Sequence, residues 1–201
     1  MTEDDARSWI ELRFGSGTAE TLAHLVAMVL AETSRQNLIA PSTVDQIWSR
    51  HVVDSAQLAG LAPPDGTWLD IGTGGGFPGL VVAVIRPFAI HLVEPRRLRA
   101  AFLAHCREAL GLSASVTIHA SAVERVDDVR ADVISARAVA PPTQLMRSAR
   151  HCATPKTRWI LPRGRNDGHM ADLSSAFPDG MFHVEQSVTD PMSSILVVGP
   201  R

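Results

Sequence analysis

The residues best suited to bind a ligand lie in a glycine-rich turn that follows an apolar run. Trp68–Ile71 predicts a short buried strand with Asp70 near its end, and Gly-Thr-Gly-Gly-Gly occupies positions 72–76 directly after it. Glycine adopts positive φ angles and has no Cβ, so the chain can turn tightly and a ligand can approach its backbone. The apolar residues at 80–85 predict a helix after the turn, with Pro78 suited to its first turn. This order of strand, glycine turn and helix is typical of the nucleotide-binding start of a doubly wound sheet.

The acidic residue near the end of the first strand indicates which ligand the turn would accept. The spacing Asp-x-Gly-x-Gly-x-Gly, which begins at Asp70, differs from the G-x-G-x-x-G pattern of dinucleotide sites, where a helix N-terminus faces a pyrophosphate. A carboxylate at this place would repel a phosphate but attract an amino group or a sulfonium, and S-adenosylmethionine (SAM) has both. We therefore predict that Asp70, Gly74 and Gly76 bind SAM. The alternative is an ordinary glycine-rich turn with unrelated acids nearby.

Three further segments are expected at the same edge of the sheet, because ligands of doubly wound folds bind beyond the carboxyl ends of the strands. Ile90–Val93 predicts the second strand, and Glu94 at its end is placed to accept hydrogen bonds from ribose hydroxyls. The loop at 120–124 follows the third predicted strand, where an adenine would rest. Arg137 follows the fourth predicted strand, at 132–135, and would lie at the pocket mouth beside the transferable methyl group. A salt bridge that braces this loop is the alternative role for the arginine.

The whole chain predicts one domain in which a small helical cap precedes the α/β part. Residues 1–62 contain two helical patterns, one capped by Thr18 and the next opened by a capping box of Ser42 and Asp45. Residues 63–201 predict an α/β, Rossmann-like core with a doubly wound, mostly parallel sheet, as in SAM-dependent methyltransferases. The last strands of that core are expected at 157–161, 181–188 and 194–198.

The second helical pattern carries His51 and Asp54, which are three residues apart and therefore share a helix face. One interpretation is a half-buried pair that ties the helical cap to the sheet. The other is a wall of the substrate or cofactor pocket. The spacing alone favours the first interpretation.

The composition is that of an ordinary globular protein and limits the possible partners. The 201 residues are 45% hydrophobic and 20% charged with a net charge of −2, so binding of nucleic acid would need a local basic patch. Cys106 and Cys152 lack the spacing of a metal site, and we predict a reduced, cytoplasmic protein without a metal. No apolar stretch has the length of a membrane span, and a monomer is expected.

Several motifs together resemble the ribosomal small-subunit methyltransferase G family, also called glucose-inhibited division protein B. They run in order over most of the chain and are Asn-Leu at 37–38, Arg-His-x-x-Asp-Ser at 50–55, the glycine turn that ends in Phe-Pro-Gly at 77–79, Leu-Val-Glu at 92–94, Arg-x-x-Phe-Leu at 99–103, Val-Glu at 123–124 and Ala-Arg-Ala at 136–138. The resemblance implies a SAM-dependent enzyme that methylates N7 of one guanine in the 16S rRNA of the 30S subunit. It also implies that Gly72 and Phe77 line the SAM site, that Val123 and Glu124 flank the adenine, and that Arg137 closes the pocket as the catalytic residue.

Some positions depart from the family pattern in a way that bears on the substrate. Ala122 stands where an arginine is usual, Leu98 stands where a lysine is usual, and Ser193 lies where a basic residue is common. Each difference removes a plausible RNA contact, and the loss of several phosphate contacts weakens RNA binding. Two alternatives therefore remain open: a SAM enzyme that acts on another RNA or a small molecule, and a binding module without catalysis.

Overall fold

A mostly parallel β-sheet forms the centre of the structure, which is a computed structural model describing residues 1–137, 139–164 and 182–199. The strands in these residues are β1 (Thr67–Ile71), β2 (Ala89–Val93), β3 (Val116–His119), β4 (Ala131–Ala136), β5 (Ala153–Arg163), β6 (Phe182–Gln186) and β7 (Ser194–Val198). They form a single sheet in the order β3-β2-β1-β4-β5-β7-β6. The strands β1 to β5 pair in parallel, whereas β7 is antiparallel to both β5 and β6. The predicted doubly wound, mostly parallel sheet is confirmed.

Helices cover both faces of this sheet. The α-helices are α1 (Glu3–Phe14), α2 (Ser16–Thr33), α3 (Asp54–Ala56), α4 (Gly79–Ile85), α5 (Arg97–Ala109) and α6 (Pro142–Ser148). Between α2 and β1 the chain also forms a 3₁₀ helix at Pro41–Gln46, a π-helical turn at Trp48–Val53 and a second 3₁₀ helix at Gln57–Gly60. None of the helices in the described residues is long and apolar enough to cross a membrane.

Two apolar clusters hold the layers together, one on each face of the sheet. Successive side chains of a strand point to opposite faces, so Trp68 of β1 joins one cluster and Leu69 joins the other. The first cluster contains buried residues of α1, α2, α4 and α5, and the second contains Leu145 of α6. Both Trp68 and Leu69 have no exposed surface, as expected for a central parallel strand that is covered on both sides. The glycine turn after β1 is therefore held on a rigid support.

Two predicted helix caps are wrong. The helix α2 begins at Ser16 and follows Gly15 without a side-chain cap, so Thr18 lies inside its first turn. Ser42 and Asp45 lie in a 3₁₀ helix that Pro41 opens, again without a side-chain cap. The capping box of the N-terminal region is formed instead by Thr2 and Asp5, at the start of α1. In that box the Thr2 hydroxyl accepts from the Asp5 N–H, and the Asp5 carboxylate accepts from the Thr2 N–H.

The predicted strands occur close to their expected places. The fifth strand is longer than predicted, since β5 extends over Ala153–Arg163 instead of 157–161. The closing hairpin is confirmed by the antiparallel pairing of β6 with β7. Met181, which the sequence assigned to that hairpin, lies outside the described residues.

Candidate active site

A cavity of about 700 Å³ opens beyond the carboxyl ends of β1, β2 and β4. Its walls come from six parts of the chain: the loop after α2, the π-helical turn that carries His51, the glycine turn, the segment from the end of β2 into α5, the loop after β3, and the segment from the end of β4 through α6. The lining residues are Leu38–Ala40, His51, Ile71–Gly75, Phe77, Val93–Arg96, Arg99, Ala122–Glu124, Arg137, Val139, Ala140, Gln144, Leu145 and Ser148. This is the edge at which doubly wound folds bind their ligands.

The glycine turn forms the floor of the cavity and is shaped by two close approaches. Gly72 has a φ of 67°, and an added Cβ would lie 2.5 Å from Cγ2 of Val139, so a larger residue would displace the Val139 side chain that covers the turn. Gly74 has a φ of 57°, and an added Cβ there would meet its nearest atoms only at 3.8 Å and beyond. A longer side chain at Gly74 would therefore enter open space in the cavity. Both glycines line the cavity as predicted, whereas Gly76 lies behind it against Leu80.

Asp70 lies beneath the glycine turn and is not among the residues that line the cavity. It has no exposed surface, and its carboxylate accepts hydrogen bonds from the Thr73 hydroxyl, the Gly79 N–H and the Ser135 hydroxyl. Burial outweighs these three hydrogen bonds and the charge of Arg137, and the pKa of Asp70 is raised to about 6. Asp70 thus fastens the turn at both of its ends and to β4. Direct contact between Asp70 and a cofactor stays a prediction.

Glu94 closes one side of the cavity directly after β2. Its side chain is buried, and its two carboxylate oxygens accept the N–H groups of Gly74 at 3.1 Å and Arg96 at 2.9 Å. A carboxylate has about four lone-pair sites, so each oxygen can accept a further hydrogen bond. Glu94 is therefore fixed in orientation and still able to accept hydroxyl donors from a ligand, which is the role that the sequence predicted.

The loop after β3 forms the opposite wall. Val123 is buried, and its carbonyl accepts a hydrogen bond from Nε2 of His151 at 3.1 Å. Glu124 is exposed, and hydrogen bonds from its own backbone and from Ser148 lower the pKa of its carboxyl group. Both predicted adenine neighbours thus line the cavity, next to the apolar side chain of Leu145.

Arg137 lies over the glycine turn in a half-buried position. Its Nη1 donates to the carbonyl of Arg50 at 3.0 Å, and its Nη2 lies 2.7 Å from Nδ1 of His51. The guanidinium carbon is 5.8 Å from the ring centroid of Phe77, and the His51 ring is tilted against the same ring at 5.1 Å. Burial lowers the pKa of the Arg137 guanidinium, whereas Asp54 and Asp70 raise it. The hydrogen bonds of Arg137 thus run to a histidine and a carbonyl instead of the salt bridge of the alternative role, and its contact with substrate stays a prediction.

His51 and Asp54 have separate environments despite their spacing. His51 is 7% exposed and lines the cavity. It is therefore part of the pocket wall, although its spacing from Asp54 favoured a pair that ties the cap to the sheet. Burial, and then the charges of Arg137 and Arg50, lower the pKa of His51 to about 3. Asp54 accepts from the hydroxyls of Ser187 and Thr189, so it ties the helical cap to the loop before β7.

Beyond Arg137 and His51 lies a second depression of about 260 Å³, which we call the side depression. The two cavities share Arg137 and His51 as a common wall. The residues that line only the side depression are Thr43, Arg50, Asp54, Gln57, Pro162–Gly164, Ser187 and Ser193–Ile195.

Sequence reasoning missed the loop at 38–40, which covers the glycine turn from above. Its position depends on α5, because Nη2 of Arg99 donates to the carbonyl of Asn37 at 2.6 Å. The Cβ of Leu38 would lie 3.2 Å from a Cβ added at Gly75, so this loop rests directly on the turn. The matched family motifs at 37–38 and 99–103 were the available signal, but neither indicated that the two segments meet.

The strand order, the glycine turn after β1 and the acid after β2 together define a SAM-dependent methyltransferase. The more particular assignment comes from comparison with known proteins. A family model described as rRNA small subunit methyltransferase G matches residues 18–175, and the chain belongs to that family.

Relatives in the family are similar to the chain over nearly its whole length. The Ribosomal RNA small subunit methyltransferase G of Rhizorhabdus wittichii is 44% identical over 207 residues, covering 100% of this chain and 95% of the relative. The protein of the same name from Novosphingobium aromaticivorans is 43% identical, covering 98% of this chain and 88% of the relative.

Solved structures share the fold at low identity. A ribosomal protein L11 methylase from Lactobacillus delbrueckii subsp. bulgaricus superimposes with a TM-score of 0.58 at 12% identity, covering 79% of each chain. A mutant of MtNAS in complex with S-adenosylmethionine superimposes with a TM-score of 0.59 at 15% identity, covering 86% of this chain and 72% of that one. These likenesses confirm the predicted Rossmann-like fold.

Proposed function

We propose that this protein transfers the methyl group of SAM to N7 of a guanine in the 16S rRNA of the small ribosomal subunit. The observation that carries the proposal is that the family match at 18–175 contains every residue that lines the cavity, from Leu38 to Ser148. The relatives named Ribosomal RNA small subunit methyltransferase G support rRNA as the substrate class. The choice of guanine N7 rests on the family resemblance and on the chemistry of the site.

The lining residues fit the parts of SAM. Glu94 is fixed by two backbone N–H groups and would accept the ribose hydroxyls. Val123, Glu124 and Leu145 would hold the adenine, and the open space above Gly74 leaves room for the amino acid part. When bound, SAM supplies an electrophilic methyl group on a sulfonium. Asp70 would support this cofactor through the turn that it fastens.

Methylation at N7 requires no general base. Guanine N7 carries a lone pair and no proton, so the reaction requires alignment of N7 with the methyl group but no proton removal. His51, the histidine in the cavity wall, has both ring nitrogens engaged in hydrogen bonds. Arg137, in the wall between the cavity and the side depression, would orient the target nucleotide as the residue in contact with substrate.

The target base would approach through the side depression. That depression adjoins the cofactor cavity at Arg137 and His51, and it carries Arg50 on its wall. Arg50 is held by an ion pair with Asp190 at 3.2 Å, so its guanidinium is oriented before any substrate arrives. For N7 to meet the methyl group, the purine would pass this common wall beside Arg137 and enter the cofactor cavity.

We extend the proposal to organisation and assembly. Residues 1–62 and 63–201 would act as one methyltransferase domain, because α1 and α2 share an apolar cluster with Trp68 and Ile90 of the sheet. The protein would work as a cytoplasmic monomer on the 30S subunit. Size-exclusion chromatography with light scattering tests the monomer, and a dimer would contradict it.

A transfer assay tests the proposed activity. Purified protein is incubated with methyl-labelled SAM and either 30S subunits or naked 16S rRNA from a strain that lacks this gene. The rRNA is then digested to nucleosides and the label is separated by chromatography. Label in 7-methylguanosine supports the proposal. Label in another nucleoside or only in a small molecule, or binding of SAM without transfer, would overturn it and support one of the alternatives.

A further inference from the structure

The hydrogen bonds around His51 have directions that the chemistry of their partners fixes. Arginine can only donate, so Nδ1 of His51 must accept from Nη2 of Arg137 across 2.7 Å. The proton of the neutral ring is then on Nε2, which lies 2.8 Å from Oγ1 of Thr43 and donates to it. The Thr43 hydroxyl in turn donates to the carbonyl of Ala40 at 2.8 Å. Three hydrogen bonds therefore run in one direction from Arg137 to Ala40.

The two ends of this chain lie in different walls of the cofactor cavity. Arg137 belongs to the segment that follows β4, and Ala40 belongs to the loop that covers the glycine turn. The sequence separates the two residues widely, and His51 joins them from a third element. The imidazole ring thus links the guanidinium, which also donates to the carbonyl of Arg50, to the covering loop, which Arg99 also holds.

His51 is itself held in place from several sides. Its ring packs against Phe77, and its carbonyl accepts a hydrogen bond from the Ser55 hydroxyl. One turn earlier, the N–H groups of Trp48 and Ser49 both donate to the carboxylate of Glu3, each at 2.9 Å. The ring is therefore a fixed support and not a mobile side chain.

We propose that His51 is a positioning residue whose neutral, Nε2-protonated form holds the guanidinium of Arg137 and ties its orientation to the loop at 38–40. The inference rests on the proposed methyl transfer, because turnover is one of its two readouts. His51 would not act as a base, since its only lone pair on the ring is already used by Arg137. A cation at His51 would place an N–H against the guanidinium and break the chain of hydrogen bonds.

Two substitutions distinguish the role of Nδ1 from that of Nε2. In His51→Asn the side-chain oxygen can occupy the place of Nδ1 and accept from Arg137, but the side chain is too short to reach Thr43. In His51→Gln the amide reaches the place of Nε2 and can bond Thr43, but Arg137 loses its acceptor. His24 is exposed on α2, so His24→Asn and His24→Gln are matched controls.

The kinetic test measures kcat and the KM of each substrate, with SAM and 30S subunits varied in turn while the other is saturating. We expect His51→Gln to lower kcat about 100-fold, as misplacement of a positioning group can, with an SAM KM within about 3-fold of wild type. His51→Asn should retain at least about one tenth of the wild-type kcat, and both His24 variants should match wild type. Equal losses in the two His51 variants, or better activity in His51→Gln, would overturn the inference. Thermal denaturation of each variant identifies any loss that is caused by unfolding.

A second measurement is independent of turnover. Nitrogen-15 spectra of the histidine rings in the full chain report which ring nitrogen is protonated. We expect a neutral His51 with the proton on Nε2 from pH 5 to pH 8, and a changed Nδ1 signal in Arg137→Ala. A protonated ring, or a proton on Nδ1, would overturn the inference even if the enzyme is active. Wild-type protein that shows the expected ring but transfers no methyl group would contradict the proposed function alone.

Discussion

The N–H of Gly74 donates to Oε2 of Glu94 across 3.1 Å, although the two residues are separated by the whole of α4 and β2. The glycine turn after β1 and the acid after β2 are therefore one unit. Oε1 of the same carboxylate accepts from the N–H of Arg96, so Glu94 holds both the glycine turn and the start of the loop that leads to α5. Loss of this carboxylate would disturb the shape of the cavity even without a bound cofactor.

Glu94→Gln should weaken SAM binding about 10- to 100-fold. The amide of glutamine places an NH₂ group against one of the two backbone N–H donors, and a hydrogen bond to a charged acceptor is worth roughly 1.5–3 kcal/mol. Isothermal titration calorimetry with SAM measures the effect, with Glu20→Gln on the exposed side of α2 as the control. An unchanged dissociation constant would show that Glu94 does not hold the ribose.

Gly74→Leu should abolish SAM binding without unfolding the protein. The side chain would project into the open cavity, and the left-handed backbone would cost about 1–2 kcal/mol. Gly111→Leu is a matched control, since Gly111 has a φ of 69° and an added Cβ would meet no atom within 4 Å. Both variants should lose similar stability in urea denaturation, but only Gly74→Leu should lose the calorimetric signal of SAM. Normal binding by Gly74→Leu would remove Gly74 from the cofactor site.

The sequence predicted most of the sheet and much of the cavity because both depend on local patterns. Apolar runs that end in Asp70, Glu94 and Arg137 marked the carboxyl ends of strands, and those ends define the ligand edge of a parallel sheet. The direction in which Asp70 points was not predictable. It depends on Ser135 of a neighbouring strand, whose hydroxyl donates to Asp70 and accepts from Nε1 of Trp68.

The helix geometry of the segment at 41–60 was also not predictable from the sequence. Its apolar spacing fits a regular helix, but the chain changes from 3₁₀ to π-helical geometry between Gln46 and Trp48. Apolar periodicity does not distinguish these neighbouring geometries, so the contact between Thr43 and His51, eight residues apart, had no signal in the sequence. The three hydrogen bonds from Arg137 to Ala40 depend on side-chain positions that no sequence pattern specifies.

Arg137→Ala should lower turnover much more than SAM binding. The guanidinium lies in the wall that separates the cofactor cavity from the side depression, and its hydrogen bonds run to Arg50 and His51 and not to the glycine turn. We expect kcat on 30S subunits to fall about 100-fold or more, with an SAM dissociation constant within about 3-fold of wild type. Arg35→Ala is the control for loss of charge, because Arg35 follows α2 and its exposed side chain pairs with Glu32. Wild-type turnover in Arg137→Ala would refute the catalytic role.

Asp70 should make the stability of the protein depend on pH between 3.8 and about 6. Its pKa is raised in the folded state, so the folded protein binds more protons than the unfolded chain in this range, and the contribution of Asp70 to stability decreases as pH rises. The free energy of unfolding of wild type, minus that of Asp70→Asn, should therefore fall by roughly 3 kcal/mol across the range. Urea denaturation at several pH values measures it, with Asp65→Asn as the control. A difference that is constant or increases with pH would contradict the raised pKa of Asp70.

Glu3→Gln should weaken both stability and turnover, although Glu3 lies in the first turn of α1 and does not line the cavity. The two carboxylate oxygens of Glu3 accept the N–H groups of Trp48 and Ser49, and Oε1 also accepts the Ser49 hydroxyl at 2.9 Å. These N–H groups open the turn that carries His51, so a negative charge here both satisfies donors and favours the helix end.

Glutamine keeps one oxygen and turns an NH₂ group toward donors that need an acceptor. We therefore expect Glu3→Gln to lower the free energy of unfolding by about 1–3 kcal/mol. At temperatures where the variant is folded, kcat should still fall, because the support of His51 is loosened. Asp4→Asn, at an exposed position of the same helical turn, should change the free energy of unfolding by no more than about 0.5 kcal/mol. Its kcat should equal that of wild type within about 3-fold. Loss of stability with unchanged kcat would show that α1 supports the fold but not the orientation of Arg137.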